Sequence, residues 1–489
     1  MRKPLFLSKS KYIDGLQCPK LLWYEFNRKS EVPGPEPMMR AVMEEGRKVG
    51  EVAQKLFPGG VRIERDFDPE KMSARSLKAL ELGRPLFEAG FTNGRAYAIA
   101  DILSPEPDGA WDLTEVKSAS GMKSEYYDDV AFQKYTYTGA GVKIGKCYLM
   151  HLNREYLKRG EIEPDKLFVR EDITETVEEK LPGIAESVAS MIGTIEQQES
   201  PEVKVGSFCS GCPLKEMCWS FLPGSDHVFL LHRAGKVAYE LMQMGILKLE
   251  DIPEAYELAP RHQIQKKSLL TGKAHVDREE ILRFLSRFEY PLFFLDFETI
   301  APAIPIFDLT HPYEEVPFQF SLHVVREKGK TPEHYPFLST ERKDPRPEVL
   351  KELKRRLEDK GSIIAYNAKY EMDCIRKATG AYPEYAEWCR AIEPRFIDLW
   401  EPFKNFFYYH PDQQNSTSMK SVLPAFTGKG YEGLDIAEGG TARMEYMRVT
   451  FGDNIDETDR NKVYSDLLKY CELDTKGMID ILNALAGSI

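Results

Sequence analysis

The stretch from Ala98 to Lys117 constrains what this chain can fold into more than any other. Two runs of strand-like composition flank a turn of sequence SPEPDG, which predicts a β-hairpin. Asp101 lies on the first predicted strand, and Glu115 and Lys117 lie on the second. Because alternate residues of a strand share a face, Glu115 and Lys117 end an otherwise apolar row. Partly buried charges are costly unless they are paired or bound to a metal, so the hairpin predicts either an ordinary Glu–Lys pair or a metal site.

A helix-like run follows the hairpin and brings Gln133 and Tyr137 to one helical face at i, i+4 spacing. The order Asp, Glu-x-Lys and Gln-x-x-x-Tyr resembles the PD-(D/E)XK nucleases of the RecB type. The resemblance implies that Asp101 and Glu115 bind a divalent metal and that Lys117 orients or activates the attacking water. It also implies that the Gln and Tyr side chains support the substrate beside this site. Carboxylate oxygens suit Mg²⁺ or Mn²⁺, and such a cation neutralises the charge that develops during phosphodiester hydrolysis.

The predicted helix over residues 41–57 matches the first motif of that family imperfectly, as Gly46-x-x-Val49-Gly50. RecB-type enzymes often place a His where this chain has Gly50, and that His can complete the metal shell. Glu51 and Glu45 are the alternative donors for this ligand.

Length and composition set the wider frame. A chain of 489 residues is long enough for two or three domains, and 42% hydrophobic and 29% charged residues are typical of a soluble globular protein. The N-terminus has no sustained apolar run, which predicts a cytoplasmic protein with no membrane partner. The net charge of −12 does not favour nucleic-acid binding, although metal-ligating carboxylates add to the acidic count and a basic channel can be local.

A cluster of thiols gives the second strong signal. Cys209 and Cys212 are followed after five residues by Cys218, in a loop-like stretch. Three thiols so close together usually hold a metal, and Cys18 is the candidate fourth donor. This arrangement resembles the iron-sulfur nucleases of the AddB and CRISPR-associated RecB-type families, which implies a [4Fe-4S] cluster that ties the two ends of the domain together. Structural zinc, which also takes four thiolates, is the alternative.

The remaining cysteines are scattered and are predicted to lie in the core: Cys147, Cys374, Cys389 and Cys471. A helix is predicted over residues 177–198, and a junction at residues 222–226 precedes a mostly helical stretch. We therefore predict three segments: a nuclease-like domain with the thiols at 1–223, a helical connector at 224–288, and a last domain at 289–489.

The last domain opens on an apolar strand that carries Asp296 and Glu298 on one face. Two carboxylates at this spacing lie roughly 6 to 7 Å apart along a strand and repel each other unless a cation lies between them. The pattern resembles the start of the two-metal site in DEDD exonucleases of the RNase H-like fold.

Further pieces of that resemblance follow in order. Asn367 and Tyr370 match the second motif, in which Glu371 stands where Asp is usual and Asp373 is the alternative acid. Tyr470 and Asp474 match the third motif of the Tyr-bearing subclass. The resemblance implies that Asp296, Glu298, Glu371 and Asp474 hold two metal ions and that Tyr470 positions the attacking water. Asn367 and Lys420 are the candidate substrate contacts.

Taken whole, the chain resembles an uncharacterised bacterial family that fuses an iron-sulfur RecB-like nuclease domain to a DEDD-type domain. The resemblance implies an α/β fold and a metal-dependent nuclease that acts on DNA in preference to RNA. Two alternatives stay open: a non-catalytic nucleic-acid-binding or scaffold protein whose sites have decayed, and a protein in which only the C-terminal site is active.

Overall fold

The computed structural model describes residues 5–489 and divides into two compact units. The first contains the described residues up to Ser220 together with Pro302–Tyr313, and the second contains Phe221–Ala301 and Glu314–Ile489. Each unit combines helices with a mixed β-sheet, which confirms the predicted α/β class. Residues 224–288 lie in the second unit.

The first unit is built from helices around one sheet. Its helices are α1 (Lys9–Gln17), α2 (Pro19–Asn27), α3 (Pro37–Gln54), α4 (Pro69–Leu80), α5 (Ser124–Gly139), α6 (Pro164–Leu167), α7 (Thr174–Lys180), α8 (Ile184–Glu196) and α9 (Lys215–Cys218). Its strands are β1 (Leu7–Ser8), β2 (Val61–Arg62), β3 (Leu86–Asn93), β4 (Ala96–Pro105), β5 (Trp111–Lys117), β6 (Ile144–Leu152) and β7 (Phe168–Asp172).

These strands form one sheet in the order β2-β3-β4-β5-β6-β7, and β1 pairs with β4. The predicted hairpin is present, since β4 and β5 pair antiparallel, with Leu103 opposite Leu113. Its turn closes on Gly109, whose φ of +77° is a conformation that favours glycine. The next strand, β6, runs parallel to β5, so α5 serves as the crossover between them.

Both faces of this sheet are covered, which explains why β5 is buried on both sides from Trp111 to Glu115. One face packs on α5, where Val130 and Phe132 are fully buried, and on α8. The other face packs on α3 through Val49 and Ala53. The prediction of one continuous helix over residues 177–198 is wrong, because this stretch contains the end of one helix and the whole of the next. It breaks into α7 and α8 because Pro182 cannot donate to a helical carbonyl and Gly183 adopts a φ of +142°.

Residues Pro302–Tyr313 belong to the first unit, and we call them the connecting segment. In sequence they come just after β9 (Leu292–Ile300), which is a strand of the second unit. Ala303 is fully buried in the α3-side core, and its N–H donates to Glu45 Oε1 at 2.7 Å. Lys158 Nζ pairs with Asp308 Oδ1 at 2.6 Å, and the Tyr313 hydroxyl donates to the Ser118 carbonyl. The first unit is therefore discontinuous in sequence.

The second unit has a smaller main sheet, and its last helix is the longest among residues 5–489. Its helices are α10 (Gly235–Gln243), α11 (Pro260–Thr271), α12 (Arg278–Leu285), α13 (Arg346–Arg356), α14 (Ala368–Ala381), α15 (Ala386–Ile392), α16 (Glu401–Lys404), α17 (Met419–Thr427), α18 (Gly439–Phe451) and α19 (Glu457–Gly487). Its strands are β8 (His275–Val276), β9 (Leu292–Ile300), β10 (Val316–Val325), β11 (Glu333–Leu338), β12 (Ile363–Ala365), β13 (Phe396–Asp398) and β14 (Tyr408–Tyr409).

The main sheet has the order β11-β10-β9-β12-β13, with β9, β10 and β11 antiparallel and β12 and β13 parallel to β9. One face buries Phe293 and Leu295 against α13 and α14. The other buries Phe294 against α12, α17 and α19. Asp296 and Glu298 share the strand face of Phe294, so they point toward the side that α19 covers.

None of the helices in residues 5–489 is both long enough and apolar enough to cross a lipid bilayer.

We expect Phe132→Ala to lower the free energy of unfolding of the first unit by about 3–5 kcal/mol, because this ring is fully buried and its loss leaves a cavity. Phe67 is 91% exposed and serves as the matched control, since Phe67→Ala should change stability by less than about 0.5 kcal/mol. Denaturant unfolding of the two variants measures the difference, and equal effects would contradict the packing described here.

Candidate functional site

In the first unit, the predicted site residues come together where β4, β5 and α5 meet. Glu115 is 2% exposed, and its Oε1 accepts a hydrogen bond from Lys117 Nζ at 2.8 Å. Its Oε2 accepts from Gln133 Nε2 at 2.6 Å. Asp101 Oδ2 accepts from the backbone N–H of Val116 at 2.7 Å, which fixes the Asp101 carboxylate against β5. The structure therefore brings together residues that are up to 32 positions apart in sequence.

Two residues that the sequence analysis missed also belong to this group, which we call the first acidic site. Lys9, at the start of α1, places its ammonium 2.5 Å from Glu115 Oε1, so two lysines share one carboxylate oxygen. Asp129 lies on α5 one turn before Gln133, and it forms the second ion pair of Lys117, in addition to the one with Glu115. Asp129 lies in the helix that carries Gln133 and faces the same way at i, i+4, which is the signal that could have identified it.

The carboxylates of the first acidic site have shifted pKa values of opposite sign. Burial and then the negative charge of Glu115 raise the pKa of Asp101 to about 7. Burial also acts to raise the pKa of Glu115, but the ammonium groups of Lys117 and Lys9 outweigh it and hold that pKa below its ordinary value. Burial acts to lower the pKa of Lys117, yet Glu115 and Asp129 together raise it, so Lys117 remains an ammonium group.

Some polar atoms at this site have no partner. Gln133 and Tyr137 are both fully buried, and neither Gln133 Oε1 nor the Tyr137 hydroxyl has a hydrogen-bond partner within residues 5–489. Leaving buried polar atoms unpaired costs free energy, so these atoms are suited to a water molecule or a substrate group.

The family's usual His position is occupied by Gly50 on α3, and a Cβ built there would meet nothing within 4 Å. Both alternative donors have other partners: Glu51 pairs with Arg47 on the surface, and Glu45 accepts from Ala303 of the connecting segment. Glu88 on β3 is a further carboxylate near this site, and its charge acts on the pKa of Asp101. It has a φ of +58°, which is uncommon for a residue with a side chain.

The four predicted thiols also lie together in the first unit. Cys18 packs with Leu214 in a small apolar cluster that Cys212 and Cys218 contact. Burial raises the pKa of Cys212, the backbone N–H of Leu214 donates to its sulfur, and the charges of the other three cysteines act on it. The N–H of Gly206 donates to Cys209 Sγ at 3.5 Å. The candidate donors are four sulfurs with backbone N–H groups beside two of them, and thiolates are the ligands that both a [4Fe-4S] cluster and structural zinc take.

In the second unit, the carboxylates form a compact group, which we call the second acidic site. Asp296 and Glu298 on β9 and Asp474 on α19 offer oxygens that all lie within 4.8 Å of one another. Glu371, on the first turn of α14, is 3% exposed, and its charge acts on the pKa of Asp296. Glu371 Oε2 has no hydrogen-bond partner in the described part of the chain. An orphaned, buried carboxylate oxygen beside three other acids is the chemistry that a metal ion satisfies.

These four carboxylates have raised pKa values because they are buried beside one another. Burial and then the charge of Asp474 raise the pKa of Glu298 to about 8. Burial raises the pKa of Asp474 to about 7, against the opposing effects of Tyr431 and Lys420. Burial and neighbouring carboxylates hold the pKa values of Asp296 and Glu371 well above their ordinary range.

Aromatic and basic side chains border the second acidic site. Tyr470 is 4% exposed and lies one helical turn before Asp474 on α19. The Tyr431 hydroxyl donates to Asp474 Oδ1 at 2.5 Å. No sequence motif indicates Tyr431, because it lies in a loop far from the motif residues. Lys420 Nζ lies 5.6 Å from the centroids of both tyrosine rings and donates to the Ala437 carbonyl at 2.6 Å.

Asn367 and Asp373 are not buried with the four carboxylates of this site. Asn367 is exposed with a φ of +80°, and its backbone N–H donates to Asp398 Oδ1 at 2.9 Å. Asp373 pairs with Lys369 and Arg376 on the outside of α14, away from Glu371. Cys471, predicted as a core thiol, is buried and also approaches Asp296 Oδ2 at 3.5 Å.

A third group of potential ligands consists of His323, His334 and Glu472. The two imidazole rings stack at a centroid distance of 4.2 Å with 13° between their planes. Ring nitrogens bind metals in the ring plane, and nearly parallel planes do not converge on one point. Each ring also bonds a hydroxyl, His323 that of Thr475 and His334 that of Ser321, so we interpret this group as a polar packing cluster.

Part of the second unit matches a known protein family model. Residues 293–418 match a family model described as a domain of unknown function, DUF2779. The matched stretch includes Asp296, Glu298 and Glu371 and ends before Asp474. No match was found among curated proteins.

The raised pKa values predict that metal-free protein loses stability as the pH rises. An acid with a higher pKa in the folded than in the unfolded chain binds protons more tightly when folded, so its stabilising effect is lost as the pH rises through the folded pKa. Wild-type protein in a chelating buffer should therefore lose thermal stability relative to Glu298→Gln between about pH 5 and pH 8.

Glu341→Gln is the control for this comparison, since Glu341 is an exposed carboxylate that pairs with Lys343. Its thermal midpoint should follow the wild type at every pH. A constant difference between wild type and Glu298→Gln across this pH range would contradict the prediction.

Proposed function

We propose that the protein is a metal-dependent nuclease that hydrolyses phosphodiester bonds of DNA, in preference to RNA, at two sites, and that it acts in the cytoplasm. One observation carries the proposal: in each unit, acidic side chains from separate elements converge in a buried group that contains unpaired polar atoms. Bound Mg²⁺ or Mn²⁺ would supply the positive charge that stabilises the phosphodiester transition state.

At the first acidic site, Asp101 and Glu115 would hold the metal, as the RecB-type resemblance implies. Lys117 is an ammonium group between Glu115 and Asp129, so it acts as a hydrogen-bond donor to the attacking water and not as a base. Gln133 fixes Glu115 by donating from Nε2. Its Oε1 and the Tyr137 hydroxyl, which have no hydrogen-bond partner among residues 5–489, would be available to a water molecule or to the substrate. A RecB-like PD-(D/E)XK fold for this unit is part of the proposal and is supported by the order β4, β5, α5, β6 around these residues.

At the second acidic site, Asp296, Glu298, Glu371 and Asp474 would hold two metal ions, which suits an exonuclease of the DEDD type. The buried Tyr470 lies one turn from Asp474 and would position the attacking water. Lys420 is exposed beside both tyrosine rings and is suited to a backbone phosphate. Three antiparallel strands followed by two parallel ones support an RNase H-like fold for this unit.

The thiol group would hold a [4Fe-4S] cluster in a structural role, with zinc as the alternative. Cys18 lies between α1 and α2, while the other three cysteines come about 190 to 200 residues later. Joining two such distant segments removes conformational freedom that the chain would otherwise have.

A scaffold or nucleic-acid-binding protein without activity is the second candidate. Gly50 at the family's His position and Glu371 in place of Asp favour it. The paired Lys9 and Lys117 at Glu115 would then serve only to neutralise a buried acid.

We expect cleavage of labelled DNA with Mg²⁺ or Mn²⁺, and we expect Lys117→Ala to lower cleavage at the first site by at least about 100-fold. Asp296→Ala should abolish cleavage at the second site, because it removes a metal ligand. Lys123→Ala is the control, since Lys123 is a 62% exposed lysine six residues beyond Lys117.

The assay compares single- and double-stranded DNA and RNA. Cleavage by each single variant and its loss in the double variant would support two working sites. Loss in Asp296→Ala alone would leave the C-terminal site as the active one, with the first unit as a DNA clamp. Absence of cleavage on every substrate with both metals would favour the scaffold.

Protein purified without oxygen should contain iron and acid-labile sulfide and absorb near roughly 400 nm. Cys212→Ser should remove both signals, because it takes one sulfur from the donor set. Cys389→Ser, which changes a buried thiol of the second unit, should keep them. A colourless wild-type protein that contains zinc would contradict the iron-sulfur assignment.

A further inference from the structure

Lys9 occupies an unusual position for a residue with no place in the recognised motifs. It is the first residue of α1, and Ser8 caps this helix by accepting from the Lys11 N–H. The strand β1 just before it pairs with β4, the strand of Asp101. Tyr12, one turn further on, stacks on Phe132 of α5 at a ring distance of 4.5 Å. The backbone of Lys9 is therefore held in place on two sides beside the first acidic site.

The two lysines at Glu115 Oε1 are held differently. Lys117 Nζ has two carboxylate partners, Glu115 and Asp129. Lys9 Nζ bonds Glu115, at 2.5 Å, and no other side chain of the described residues. The exposed fractions of the two lysine side chains are similar, 23% for Lys9 and 18% for Lys117, so the number of carboxylate partners is what distinguishes them. Of the two ammonium groups, Lys9 can leave Glu115 with the smaller loss of contacts.

We propose that Lys9 is the exchangeable counter-ion of Glu115: it occupies the carboxylate when no divalent cation is bound and yields that oxygen to the cation. This inference rests on the proposed metal site of the first unit. Lys9 is thus a positioning residue, because it acts through Glu115, while Lys117 stays anchored by Asp129 in both states.

Coulomb's law predicts that removing the Lys9 charge changes cation binding and DNA binding in opposite directions, which structural damage would not do. Removing the Lys9 charge leaves Glu115 and Asp101 with one positive neighbour fewer, so a divalent cation should bind more tightly. The same change removes a positive charge that the cation-loaded site would present to a phosphodiester, so DNA should bind more weakly. Damage to the fold would weaken both kinds of binding.

The test uses the full-length chain carrying Asp296→Asn and Glu298→Gln, so that Mn²⁺ titration followed by electron paramagnetic resonance reports the first site. In this background, Lys9→Met should bind Mn²⁺ roughly tenfold more tightly than the parent. With Ca²⁺ in place of Mn²⁺, it should bind double-stranded DNA roughly threefold more weakly.

Lys9→Arg keeps the charge and should match the parent in both measurements. Lys11→Met is the matched control, because Lys11 belongs to the same helix but pairs with Asp14 and Glu25, each at 3.0 Å. Lys9→Gln replaces Lys9→Met if the latter does not fold, since Gln is neutral and can still donate to Glu115.

Tighter Mn²⁺ binding by the neutral variants, with weaker DNA binding, would support the inference. Unchanged or weaker Mn²⁺ binding in a folded neutral variant would overturn it while leaving the proposed metal site intact. If the parent bound no Mn²⁺ at this site, the proposed function of the first unit and the inference would both be wrong.

Discussion

The cost of burying carboxylates governs both halves of this molecule. A carboxylate taken out of water needs a counter-charge, hydrogen bonds or a proton, and the two units meet this need in different ways. The first acidic site contains its own cations, Lys9 and Lys117, and holds Glu115 ionised. At the second acidic site, no Lys or Arg of the described residues forms an ion pair with the carboxylates, so their pKa values rise instead. The second site therefore has the stronger electrostatic demand for a cation.

Local patterns in the sequence were sufficient to predict the elements that carry the sites. Strand-like runs on both sides of a turn indicated β4 and β5, a continuous apolar run indicated β9, and i, i+4 spacing indicated the face of α5 that holds Gln133. The motif order also predicted that Asp101 and Glu115 lie near each other, and Asp101 accepts a hydrogen bond from the backbone N–H of Val116, the residue after Glu115. What the sequence could not predict depends on tertiary contacts. Lys9 meets Glu115 across 106 residues, and Tyr431 reaches Asp474 from an irregular loop, so neither has a periodic signal.

Helix α19 shows how one long element can organise a site. Its 31 residues begin at the cap Asp456, whose side chain accepts from the N–H groups of Thr458 and Asp459. Asp474 and Tyr470 lie on its buried face together with Thr475, which bonds Ser321 of β10. The matched domain of unknown function ends before this helix, so the last acidic ligand is contributed by chain beyond the match. The geometry of the site, and not the family match, is therefore what joins Asp474 to Asp296.

The connecting segment has a consequence for how the two halves can be separated. Because Pro302–Tyr313 returns to the first unit after β9 has been laid down in the second, no single cut in the chain yields two whole units. A fragment that stops at Ser220 lacks Ala303, whose backbone N–H donates to Glu45, and Asp308, whose carboxylate pairs with Lys158. Each unit is assembled from two separate stretches of the chain. Producing either acidic site within a whole unit therefore requires both of that unit's stretches, rejoined where the other unit's residues interrupt them.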